Sequence, residues 1–212
     1  MKALLYKDLC LIRKQMRVFL LVILLLLLFP LHIFWNAVNI SLAPLVGLMV
    51  PLQLAMYDEK SRWNHYARYL PYTPRDLVLS RYLAGWGSTL LGTALGLGAT
   101  ALLSPNHQVS PESLLALGWL VAGVLAAQAV EFPLLARGTV IHGQAWSLAI
   151  LLTTLVLVFS LLGLVNENDP WSAFLQLLPV LVRATPLVLL AAAAANAASV
   201  PVTLRRMKAE WP

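Results

Sequence analysis

Between Val18 and Asn36 the sequence runs for 19 residues without an Asp, Glu, Lys or Arg, and further apolar blocks recur towards the C-terminus. An α-helix needs ~20 apolar residues to cross ~30 Å of hydrocarbon, where each backbone N–H and C=O has to be satisfied within the helix. This pattern restricts the chain to an all-α integral membrane fold. Across 212 residues, 60% are hydrophobic, 11% are charged and the mean hydropathy is +0.78, values outside the range of an ordinary soluble domain.

The net charge of +6 would suit a nucleic-acid partner, but its distribution argues against one. Five of the basic residues lie in residues 1–17, five in 57–81, one in 131–138 and three in 204–212, which leaves only Arg183 elsewhere. Basic clusters in short segments beside apolar blocks set topology and touch anionic lipid, so both termini and the 57–81 stretch are expected on the cytoplasmic side. The single cysteine, Cys10, excludes an internal disulfide and a Cys-based metal framework. No small-residue cleavage site follows the first apolar run, so no removable signal peptide is expected.

Six spans are predicted in one domain covering 1–212: 18–36, about 41–56, 78–103, 111–130, 145–165 and 186–204. Before them, residues 1–17 place Leu5, Leu9, Ile12 and Met16 on one helical face, with Lys7, Arg13, Lys14 and Arg17 largely off it, the pattern of an interfacial amphipathic helix. The third span carries Gly85, Ser88, Thr89, Gly92, Gly96 and Ala99, including a GxxxG at Gly92 and Gly96. Such a stripe lets another helix pack closely, from this chain or from a second copy. Residues 131–138, EFPLLARG, read as a short inner turn with Glu131, near Gln128 and Arg137, as an interfacial carboxylate, the alternative being a partly buried pair. Taken as one helix, residues 170–204 would be ~50 Å long against a ~30 Å core. Asp169–Pro170 and Thr185–Pro186 each look like a cap followed by a first-turn proline, so a short outer or re-entrant helix at 170–184 is expected before the sixth span, which contains Asn196.

The one long polar interruption, Tyr57 to Arg81, reads YDEKSRWNHYARYLPYTPRDLVLSR. Asp58, Glu59, Lys60, Arg62, His65 and Arg68 each cost several kcal/mol in hydrocarbon, so this stretch lies outside it. Trp63, Tyr66, Ala67 and Leu70 fall at i, i+3, i+4 and i+7, predicting one face of a short helix within residues 58–70 that Pro71 ends. Thr73, Pro74 and Asp76 then form the N-cap, first position and capping-box acid of the next helix. A solvated basic loop with its aromatics at the lipid interface is the plainer alternative.

The chain has no GxxxxGK[ST] phosphate loop and no HExxH. His32, His65, His107 and His142 are scattered, and Ser147 and Ser160 lack a base motif. The predicted spans contain essentially no carboxylate for ion coupling. Energy for any transport therefore has to come from a partner, and 57–81 is the docking candidate.

The start MKALLYKDLCLIRKQ, the following span pair, the segment DEKSRWNHYARYLPYTPRDLVLSRYL and the later FPLLARG together resemble a small six-span permease subunit of ABC-2 type exporters. The likeness is closest to bacterial permeases linked to peptide-toxin or lantibiotic export and immunity. It implies two permeases, identical or not, with two ATP-binding-cassette subunits that carry ATP and Mg, so no cofactor or metal is expected on this chain. It also implies that residues 1–17 form an elbow helix, that 57–77 form a cytoplasmic coupling helix, and that the complex sits in the bacterial plasma membrane. On this basis Asp58, Glu59, Arg62, Trp63, Tyr66 and Arg68 are expected at the ATPase contact, supported by Arg75 and Asp76, with Gly85, Gly92 and Gly96 in helix packing. The cargo expected is amphipathic or hydrophobic: a peptide, toxin or lipid-like molecule moved outward. A non-transporting scaffold or immunity protein using the same stretch is the alternative. An intramembrane hydrolase ranks below both, because no catalytic constellation is present.

Overall fold

The computed structural model describes residues 2–15, 43–67, 69–103, 111–136, 145, 148–149, 152–153 and 170–209, and the regular elements among them are helical. They are α1 (Lys2–Gln15), a 3-10 turn (Ala43–Leu45) leading into α2 (Val46–Lys60), α3 (Trp63–Ala67), α4 (Pro74–Leu103), α5 (Pro111–Leu135) and α6 (Pro170–Ala209). The first expected span, and all but a few residues of the fifth, lie outside the described residues. Among the described residues, two segments, Leu117–Leu135 and Val182–Ala209, are long and apolar enough to cross a membrane. The 30 residues of α4 reach ~45 Å, also longer than a bilayer core is thick.

The main pairings are α5 on α6 and α2 on α4. Glycines set the second. A Cβ on Gly47 would lie 2.8 Å from Thr89 Cβ and 2.9 Å from its Cα, and one on Gly85 would meet Phe132 Cζ at 2.7 Å and Pro51 Cγ at 3.3 Å. The stripe predicted on α4 is buried at Gly85, Thr89, Gly92 and Gly96, and at Gly85 and Thr89 its neighbours are α2 and α5 of the same chain. At one end of the bundle a single core joins Leu4, Leu52, Ala55, Ala67, Leu77, Val78, Tyr82, Phe132, Leu135 and Met207, with at least one residue from each of α1 to α6. Tyr82 is its centre, fully buried, with its ring 4.2 Å from Phe132 and 5.8 Å from Trp86.

Several expectations need correction. The short helix expected within 58–70 is narrower. Asp58 to Lys60 are the last turn of α2, and Leu70 lies in the turns beyond α3. Of its predicted apolar face, Ala67 is fully buried and Trp63 half-buried, but Tyr66 is 62% and Leu70 40% exposed. The turn expected at residues 131–138 begins later, because α5 continues to Leu135 and carries Glu131 inside it. Pro133 removes only its own N–H near the helix end, and the Ala136 N–H still reaches Phe132 O at 3.1 Å. The break expected at Thr185–Pro186 is absent, and α6 runs unbroken for 40 residues through Pro179, Pro186 and Pro201. Packing holds it there, since a Cβ on Gly118 of α5 would lie 2.7 Å from Thr185 Cγ2, so the residue read as a cap is seated against a neighbouring helix. On α1, Leu4 and Asp8 turn inward, whereas Tyr6 and Leu9 face outward.

Candidate docking segment and the polar seam behind it

The polar stretch begins with a tight exit from α2. Ser61 N–H and Oγ both donate to Tyr57 O, at 2.9 and 2.7 Å, and Arg62 N–H donates to Glu59 O at 3.0 Å. Arg62 takes φ 52°, the left-handed conformation that usually closes a helix with glycine. After the single turn of α3, Tyr69 N–H bonds Tyr66 O and Leu70 N–H bonds Ala67 O, at 3.0 and 3.3 Å. The chain then enters α4 through the predicted capping box. Asp76 N–H donates to Thr73 Oγ1 at 3.3 Å, and Thr73 N–H and Oγ1 donate to Asp76 Oδ2 at 3.2 and 2.8 Å. The Thr73 hydroxyl, seconded by its N–H, holds the Asp76 carboxyl below the usual range.

Asp58 faces into the protein. Its Oδ1 accepts from Lys7 Nζ of α1 at 2.8 Å and its Oδ2 from an Arg81 guanidinium N–H of α4 at 3.1 Å, with only 5% of the residue exposed. Lys7 also pairs with Asp8 at 3.2 Å and lies 4.4 Å from the centroid of the Trp63 ring. Two cations and two carboxylates thus bind α1, α2, α3 and α4 together with no net charge. Burial pushes the Asp8 carboxyl up, with Lys7 opposing.

The predicted docking residues therefore divide. Asp58 and Trp63 are anchors turned towards the bundle, and Asp76 is committed to its cap. Glu59, Arg62, Tyr66 and Arg75 are exposed on the outer surface, where Tyr69, 79% exposed, and Leu70 join them. Arg68 lies outside the residues whose side chains are described. Sequence reasoning missed Lys7 and Arg81 as partners of Asp58. The available signal was an acid in the last turn of an apolar helix, which needs a cation close by.

Behind this segment, polar side chains line the contacts of α2, α4, α5 and α6. Gln128 Nε2 donates to Gly47 O at 2.8 Å and to Thr89 Oγ1 at 3.0 Å. Asn196 Nδ2 donates to Leu125 O at 2.9 Å and to Gln128 Oε1 at 3.4 Å, while Asn196 Oδ1 accepts from Trp86 Nε1 at 2.9 Å. Tyr82 OH shares hydrogen bonds with Ser199 Oγ at 2.6 Å and Thr203 Oγ1 at 2.9 Å. Asn196, Ser199 and Thr203 at i, i+3 and i+7 put one polar edge on α6, a pattern readable from sequence. Glu131 is fully buried on α5, and neither of its oxygens has a partner among the described residues. Among the described residues, no three His, Cys, Asp or Glu side chains come together to hold a metal ion.

Residues 3–207 match the ABC-2 family transporter proteins, and the chain belongs to that family. Neither a curated protein nor a solved structure matches it. The apolar helices and the family agree on a membrane protein, a permease component of an ABC transporter.

Proposed function

We propose that this chain is the membrane-spanning subunit of an ATP-driven exporter and that a separate ATP-binding-cassette subunit docks on the outer surface of residues 59–75. Permeases of this family generally work with such a subunit. The observation that carries the reading is the arrangement at the apex: Arg62, Tyr66, Tyr69, Leu70 and Arg75 are exposed, while Asp58, Trp63 and Ala67 just behind them are tied into four helices. Exposed aromatics and arginines are the residue types enriched at protein interfaces. A mount fixed to α1, α2 and α4 passes a push on the apex into the membrane helices. The substrate is amphipathic or hydrophobic, a peptide, toxin or lipid-like molecule moved outward, as in the peptide-toxin and lantibiotic permeases that the sequence resembles. The complex is a dimer of permeases in a bacterial plasma membrane with both termini cytoplasmic, and ATP and Mg are held by the partner.

The test is copurification. The tagged chain is extracted gently from its native host beside a Tyr66→Ala, Arg75→Ala variant, and the partners are identified by mass spectrometry. A Walker-motif ATPase that comes down with the wild type and is depleted with the variant is the expected result. If no such ATPase appears while other membrane complexes stay intact, the transporter reading loses its energy source. If the ATPase binds but the permease does not stimulate its turnover, the scaffold or immunity role takes its place.

A further inference from the structure

A groove of about 270 Å³ opens between α5 and α6 and is lined by Ala129, Val130, Pro133, Leu134, Ser199, Val202 and Arg206. Its walls are mostly apolar, with Ser199 and Arg206 the polar residues of the lining, and Val130 and Val202 are 39% and 43% exposed. The far end differs, because Arg206 lies there with one guanidinium N–H donated to Pro133 O at 3.0 Å. A guanidinium has five N–H donors in a planar fork, so this bond fixes the position of Arg206 and leaves donors for an anion. Arg205 and Lys208 are exposed in the same last turns of α6, but one and two positions from Arg206 they project from other faces of the helix. A mostly apolar slot a few residues long that ends in a positioned arginine has the polarity of a lipid seen lengthwise.

We propose that this groove holds one anionic phospholipid of the surrounding bilayer, its phosphate on Arg206 and its acyl chain along Val130, Pro133, Leu134 and Val202. Charge complementarity selects the occupant. A zwitterionic lipid offers the same chain, but its ammonium is repelled by Arg206, whereas a phosphatidylglycerol headgroup brings only its negative charge to the fixed guanidinium. A free phosphate would leave the apolar walls unfilled. The site lies on the α5–α6 side of Arg206, does not involve the 59–75 surface and needs no ATPase partner, so it stands or falls separately from the proposed function.

The chain is reconstituted into vesicles of equal parts phosphatidylglycerol and phosphatidylcholine, re-extracted in mild detergent, and its lipid adducts are counted by native mass spectrometry. The wild type is expected to retain phosphatidylglycerol over phosphatidylcholine by roughly fivefold, the size of about one well-placed basic residue near a membrane surface. Arg206→Gln is expected to bring the ratio close to parity, and Arg205→Gln, which leaves the groove lining intact, to keep most of it. Because Arg206 also holds Pro133 O, Val202→Trp provides a second arm: it fills the exposed mouth and is expected to cut retention of the bound lipid without touching the arginine. Equal retention of the two lipids by the wild type, an unchanged ratio in Arg206→Gln, or full retention in Val202→Trp overturns the proposal. So does displacement of the lipid by inorganic phosphate alone, or an adduct whose mass is that of a peptide.

Discussion

Lys7 Nζ lies 2.8 Å from Asp58 Oδ1, joining two residues 51 positions apart in the chain. It ties the N-terminal helix to the last turn of α2, at the point where the chain leaves the bundle for the exposed apex. The same lysine covers Trp63, so one side chain holds both the end of α2 and the start of α3.

Removing Asp58 leaves Lys7 and Arg81 facing each other without their shared acceptor. Side-chain exposures of 24% for Lys7 and 15% for Arg81 place the site between surface and interior. Asp58→Ala is expected to destabilise the protein by about 1–3 kcal/mol. Glu59→Ala, one residue on and exposed, is expected to stay within ~0.5 kcal/mol of wild type. Unfolding in mixed micelles, followed by tryptophan fluorescence, compares the two.

Gly47 and Gly87 make opposite predictions for one substitution. A Cβ at Gly47 meets the backbone of Thr89, so Gly47→Ala forces α2 and α4 apart and is expected to cost about 1–3 kcal/mol. Around Gly87 nothing lies within 4 Å, and alanine there is expected to be neutral or to stabilise α4 by up to ~1 kcal/mol. Thermal unfolding in detergent, with the two variants run in parallel, reads the difference.

Gln128 and Asn196 share a hydrogen bond and each has further partners, so their losses are expected not to add. Each single change to alanine should cost about 0.6–1.7 kcal/mol, the range for hydrogen bonds between membrane helices, and the double variant less than the sum. A double-mutant cycle in micelles measures the coupling, and strict additivity would show that the two side chains act independently.

Asp76 gives a pH dependence with a definite sign. Its carboxyl is held down in the folded chain by Thr73, so it binds its proton less readily than in the unfolded chain. The contribution is present above the ordinary carboxylate range and is lost as the pH falls through the lowered folded value. Asp76→Ala should therefore reduce stability near neutral pH and make little difference in strong acid. Melting curves of variant and wild type across that range check the convergence.

Much of this arrangement was legible because it rests on local chemistry. Thr73, Pro74 and Asp76 announce the start of α4, since a capping box needs only residues three apart, and the small residues at Gly85 and Thr89 announce a close helix neighbour. What could not be read depended on distant parts of the chain. Asp58 looks like a surface acid until Lys7 and Arg81 are brought to it. Thr185–Pro186 has every local mark of a helix start, but Gly118 lets α5 press against Thr185 and the helix continues. Leu70 sits at a spacing that predicts burial, yet α3 ends at Ala67 and Leu70 falls in the turns beyond it.

The hairpin formed by α2 and α4 is fastened at two heights. Asp58 and Arg81 join the helices by charge at one end, and Gly47 and Thr89 join them by close packing 11 residues farther along α2, or ~16 Å. Two rods held at two points resist scissoring more than two held at one. The bonds that tie this hairpin to α6, Trp86–Asn196 and Tyr82–Ser199, are single hydrogen bonds, so the hairpin is fastened within itself by charge and close packing and to its neighbour by hydrogen bonds.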